Sequence, residues 1–149
     1  MRRIYIVLAV AVALVPAAIA AGCGNDNSND PSVTFVEPAK NATVGPDFTA
    51  TVKLDNFKID AAAVGKAPQK GVGHLHFSLD NGRYDTPVYS GPNGKLAKQL
   101  NVDGQYSPAV MPTITYRDIP AGKHTLKVEL ANNNHTSTGK SATEQINVE

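Results

Sequence analysis

A chain of 149 residues with 14 Lys and Arg against 13 Asp and Glu, 6% aromatic residues and no Trp has the size of one domain and almost no net charge. That neutrality argues against nucleic acid or a polybasic membrane patch as partner. The lone cysteine, Cys23, rules out an intrachain disulfide and, lying ahead of the domain, also a cupredoxin-type copper site, a thiol nucleophile and a cysteine-based zinc site within it.

The first thirty residues read as separate from the fold. Arg2 and Arg3 form a short cationic segment, Ile4 to Val15 is apolar, and Pro16 to Gly22 is small and helix-breaking, the layout of a secretory leader. The apolar run also nearly spans a bilayer, so an uncleaved anchor is the alternative. Ala20-Ala21-Gly22-Cys23 resembles the lipobox of bacterial lipoproteins. The resemblance implies that residues 1–22 are removed, that Cys23 carries lipid, and that the mature chain sits on the extracytoplasmic face of a bacterial membrane. The family prefers Leu three residues before the cysteine, and Ala20 stands there instead. Two or more acyl chains anchor a protein stably where one does not. Removing Arg2 and Arg3 from the 14 basic residues leaves 12 against 13 acidic, so the mature chain stays close to neutral.

Residues 23–31 are polar and turn-rich and read as a flexible tether; the domain is expected over 32–149. Ser32 to Glu37 is predicted as a first strand with Val33 and Phe35 on one face, followed by a turn-rich connection from Pro38 to Pro46. Asp47 to Asp55 alternates cleanly, with Phe48, Ala50, Val52 and Leu54 inward. Asn56 to Val72 is a long connection in which Asp60 can cap one helical turn.

Gly71 to Gly82 carries the chemistry. Leu75, Phe77 and Leu79 fall on one face of an extended chain and His74, His76, Ser78 and Asp80 on the other, the pattern of a half-buried strand with two imidazoles about 7 Å apart. Asn81-Gly82 is a favoured pair for a type I′ hairpin, which would set Leu79 opposite Tyr84, Leu75 opposite Val88 and His74 opposite Tyr89. Lys95 to Ser107 fits either strand or short helix. Pro112 to Ile119 reads as a strand through Ile114 and Tyr116, and Lys123 to Ala131 as one with His124, Leu126, Val128 and Leu130 on one face. Asn132 to Ser141 reads as a polar loop holding His135, and Ile146 and Val148 mark a last strand.

About seven short strands with frequent turns and almost no helix predict an all-β fold, an antiparallel Greek-key sandwich of immunoglobulin or fibronectin type. The order of motifs Gly73-His74-Leu75-His76, Leu79-Asp80, Pro120-Ala121-Gly122-Lys123-His124-Thr125-Leu126 and Asn132-Asn133-Asn134-His135 resembles a family of small extracytoplasmic domains of unknown function. The family pattern has His where Leu75 stands, so a three-histidine cluster within this strand is absent, and the resemblance implies no activity.

His74 and His76 offer paired imidazoles to copper or zinc, with His135 or Asp80 as third ligand. The competing reading is a hydrogen-bonded pair that orders the Asn56 to Val72 connection. Antiparallel pairing of the two histidine-bearing strands puts His74 near His135 and leaves His124 roughly 20 Å away. His124, two residues after Gly122 on the core face, and Tyr116, on core parity, are expected to be structural, the histidine bonding backbone through its polar tip. Tyr84, Tyr89, Tyr106 and Tyr116 are candidates for a partner surface, with Tyr84 and Tyr116 better placed to pack. No nucleophile elbow, phosphate loop or carboxylate pair is present, so an enzyme is not expected. The expectation is a non-catalytic, lipid-anchored binding or envelope module of unknown ligand, with an envelope protein or a metal ion as candidate partner, or alternatively a copper or zinc binding lipoprotein using His74 and His76.

Overall fold

The computed structural model describes residues 29–84 and 106–149. The leader, Cys23 with its lipobox, most of the tether, and residues 85–105 with Val88 and Tyr89 lie outside the described residues. Nine strands occur among those described: β1 (Ser32–Glu37), β2 (Thr43–Val44), β3 (Phe48–Asp55), β4 (Lys58–Ile59), β5 (Val72–Leu79), β6 (Tyr106–Ala109), β7 (Thr113–Tyr116), β8 (Gly122–Asn132) and β9 (Ser137–Val148). The helical content among them is one 3-10 turn, Ala61–Ala63, where Asp60 accepts the Ala62 N–H at 3.0 Å. No helix of the described residues is long and apolar enough to cross a membrane.

The strands form two sheets, β1-β3-β7 and β2-β9-β8-β5-β4, with β6 also paired to β5. Alternation decides what lies between them. Phe48, Ala50 and Val52 of β3 and Ile114 and Tyr116 of β7 pack against Leu75, Phe77 and Leu79 of β5 and Leu126, Val128 and Leu130 of β8 in one apolar core. The ladder places Leu75 opposite Leu130, Phe77 opposite Val128 and Leu79 opposite Leu126, all six fully buried. Each such side chain contributes about 1.5–3 kcal/mol by leaving water. Tyr116 is opposite Phe48 across β3 and β7, their rings 5.3 Å apart.

The structure departs from the expected pattern in three places. Pairing is mixed: β2 lies parallel to β9 and β4 parallel to β5. Both are two-residue strands inside connections, too short to show a period. The turn after β5 has positive φ at Asn81 (57°) and Gly82 (88°), as a type I′ turn demands, while Leu75 has Leu130 of β8 on one side and Ala109 of β6 on the other. The aliphatic face of β8 fills one edge of β5, and β4 and β6 share the other. Finally, the polar segment from Asn132 to Ser141 is mostly strand, because β9 begins at Ser137 and pairs with β8 up to Ala131↔Ser137. Backbone pairing holds this stretch, helped by the Thr138 hydroxyl donating to Leu130 C=O at 2.7 Å. Its side chains carry no apolar signal.

Candidate metal centre

β5 is positioned by a close crossing at Gly73, where a Cβ would stand 1.9 Å from the carbonyl oxygen of Ala131. Only glycine lets β8 approach there, and that approach fixes the register of the next residues. His74 lies opposite Ala131 and His76 opposite Glu129. Because Leu75, Phe77 and Leu79 occupy the core face, both histidines point to the outer face of the larger sheet.

That face was expected to be half-exposed, and it is buried instead: His74 is 0%, His76 3% and Ser78 6% exposed. Among the described residues, the long connection between β4 and β5 and the β8–β9 turn are bonded to β5 and to each other over this face. Asp60 N–H donates to Gly73 C=O at 3.0 Å, Gly65 N–H to Asn133 C=O at 2.7 Å, and the Asn133 amide donates to Ala67 C=O at 3.2 Å. Asn133, rather than either histidine, ties the connection to the turn.

The same turn delivers the third imidazole. Its ends are clamped by Asn132 N–H to Thr136 C=O and His135 N–H to Asn132 C=O, both at 2.9 Å, and His135 takes a left-handed backbone with φ of 66°. The ring turns inward until it is 1% exposed. His74 Nε2 then lies 2.9 Å from His76 Nε2 and 3.0 Å from His135 Nδ1. A fourth polar group, the fully buried Ser107 hydroxyl on β6, stands 3.4 Å from His135 Nδ1.

Burial and the two neighbouring imidazoles push His74 down to about 3, and burial followed by the nearby His135 does the same to His76. Burial lowers His135 as well. All three rings are therefore neutral at pH 7, each with one N–H and one lone pair. Hydrogen bonds among them cannot satisfy every atom: His74 Nδ1, His135 Nε2 and the side-chain oxygen of Asn133 are buried without partners. A buried polar atom left so costs about 1–3 kcal/mol. The three rings offer ligand nitrogens that all lie within 4.8 Å of one another, an arrangement that could hold a metal ion. Imidazole nitrogens about 2.0–2.1 Å from a tetrahedral ion are spaced about 3.3 Å apart, so the 2.9 and 3.0 Å separations of His74 Nε2 from His76 Nε2 and His135 Nδ1 need to open by only a few tenths of an ångström.

The other sequence candidates lie elsewhere. His124 is opposite Ile146 on the core face, with Nδ1 2.7 Å from Asp80 Oδ2 and Nε2 2.8 Å from Pro120 C=O. Asp80 also accepts the Thr125 N–H at 2.8 Å, so the carboxylate weighed as a third ligand is committed to β8. The Tyr84 ring meets His124 edge-on at 5.6 Å, and Tyr116 belongs to the core. Sequence reasoning missed Ser107 and Asn133. Ser107 ends a stretch whose periodicity fits two structures, while Asn133 stands beside His135 and differs from its Asn neighbours only once the turn is folded.

No protein-family model matches the chain, and no curated protein matches it. Solved structures that do match include an engineered protein from the Northeast Structural Genomics Consortium, at 14% identity and a TM-score of 0.44, covering 82% of this chain and 21% of its own. Another is the endo-β-1,4-mannanase from Thermotoga petrophila, at 10% identity and a TM-score of 0.40, covering 85% of this chain and 21% of its own. The chain thus spans about a fifth of the length of either, and likenesses this distant carry no argument about function.

Proposed function

We propose that this chain is a non-catalytic metal-binding module, held outside the cytoplasmic membrane by lipid on Cys23, that takes copper or zinc through His74, His76 and His135. The observation that carries the reading is the meeting of three buried imidazoles whose nitrogens face one another while two of the same rings leave a buried atom without a partner. Each neutral ring can turn a lone pair inward by changing tautomer, which a cation would exchange for the hydrogen bonds among them, and imidazole suits both ions. The cover over the triad favours holding an ion over turning over a substrate.

Calorimetric titration of the full chain in detergent with Cu(II) and Zn(II), and with Cu(I) under anaerobic conditions, tests the proposal, beside a His74→Ala/His76→Ala variant whose fold is checked by circular dichroism. One ion bound with submicromolar Kd, and lost in the variant, is expected. A folded wild-type chain that binds none of the three ions overturns it. A second reading, binding of an envelope protein, is favoured by Val110 and Met111, adjacent and exposed between β6 and β7, and by Val36, exposed on the edge strand β1.

A further inference from the structure

If the triad binds metal, its surroundings also decide the charge of the ion. The donors are three neutral rings, and among the described residues no carboxylate joins them within ligand distance. The nearest candidate by register, Glu129 opposite His76, lies 3.6 Å from the Lys127 ammonium. Asp60 caps the 3-10 turn, and Asp80 is bonded to His124 and Thr125.

A divalent ion would therefore bring two positive charges into a place where the rings are 0–3% exposed and where, among the described residues, no carboxylate joins the ligand set to balance them. The cost of taking an ion out of water rises with the square of its charge, about fourfold from one charge to two. Three-histidine zinc sites meet that cost with a water or hydroxide in an open fourth position. Here the Ser107 hydroxyl, neutral and fully buried, is the fourth polar group beside the ligand nitrogens, 3.4 Å from His135 Nδ1.

We propose that the triad is a site for a monovalent ion with a filled d shell, Cu(I), bound three-coordinate by His74 Nε2, His76 Nε2 and His135 Nδ1, with Ser107 closing the fourth position. The ion arrives already reduced, so no redox step is involved. Ser107 is a specificity-determining residue that excludes the water a divalent ion would need.

The test uses the full chain carrying Cys23→Ser, which removes its only thiol. Under anaerobic conditions it is loaded with Cu(I) against a Cu(I)-selective chelator and challenged with Zn(II). One Cu(I) with three nitrogen neighbours by X-ray absorption, not displaced by a hundredfold excess of Zn(II) and lost in His135→Ala, is expected. Displacement by equimolar Zn(II), or a fourth light-atom neighbour, overturns the charge assignment while leaving the metal reading standing. Failure to bind any of Cu(I), Cu(II) and Zn(II) overturns both. Ser107→Ala is expected to strengthen Zn(II) binding at least tenfold by admitting a water, and an unchanged Zn(II) affinity overturns the role given to Ser107.

Discussion

Lowering the pH should destabilise the metal-free protein well before its carboxylates protonate. In the unfolded chain His74 and His76 take up protons near 6.5, whereas in the folded protein they stay neutral until about 3. Between those values the unfolded state holds more protons, so stability is complete above about pH 7.5 and falls as the pH drops. From pH 7.5 to 5.0 each imidazole removes about 2 kcal/mol, and the pair about 4 kcal/mol, at about 1.4 kcal/mol per pKa unit. The lowered His135 acts in the same direction. Against a total of about 5–15 kcal/mol for a typical domain this is a large share. Urea unfolding of the chelator-treated protein at the two pH values, followed by far-ultraviolet circular dichroism, measures it. A His74→Gln/His76→Gln variant should lose most of the dependence. A wild-type stability that changes by less than about 1 kcal/mol, or a variant with the same slope, would refute the claim that these rings are neutral because they are buried.

Two further outcomes separate the site from the scaffold. Gly73→Ala forces β5 and β8 apart at Ala131, and should lower the melting temperature by 10 °C or more and weaken metal binding, since His74 is the next residue; unchanged melting would mean the crossing is looser than 1.9 Å implies. His124→Ala removes the partners of Asp80 Oδ2 and Pro120 C=O and should cost about 2–4 kcal/mol in urea unfolding. The metal stoichiometry should not change, and a loss of binding would place His124 in the site.

How much of this was legible depended on whether the signal was local. The alternation from Phe48 to Leu54 and from Leu75 to Leu79 is a property of a few consecutive residues, and it identified β3, β5 and the face each one buries. Antiparallel pairing of two such strands was enough to bring His135 toward His74 and to keep His124 away. What consecutive residues could not show is the cover. The outer face of β5 reads as polar and open in one dimension, and it is closed by Gly65 and Ala67 bonding to Asn133, 66 residues on from Ala67. Ladders held by backbone atoms were illegible for a related reason: Ser137 to Ser141 pairs with β8 through groups that every residue carries.

Because the histidines stand on the side of β5 turned away from Leu75, Phe77 and Leu79, the scaffold is open to evolutionary change at its chemistry. A substitution at His74, His76, Ser107 or His135 alters the inward polar set on the outer face and leaves the Leu75, Phe77 and Leu79 face, where the two layers mesh, unchanged. Chemistry and layer packing thus sit on opposite sides of one strand, so the donor set proposed for the ion can change residue by residue while the apolar core is kept.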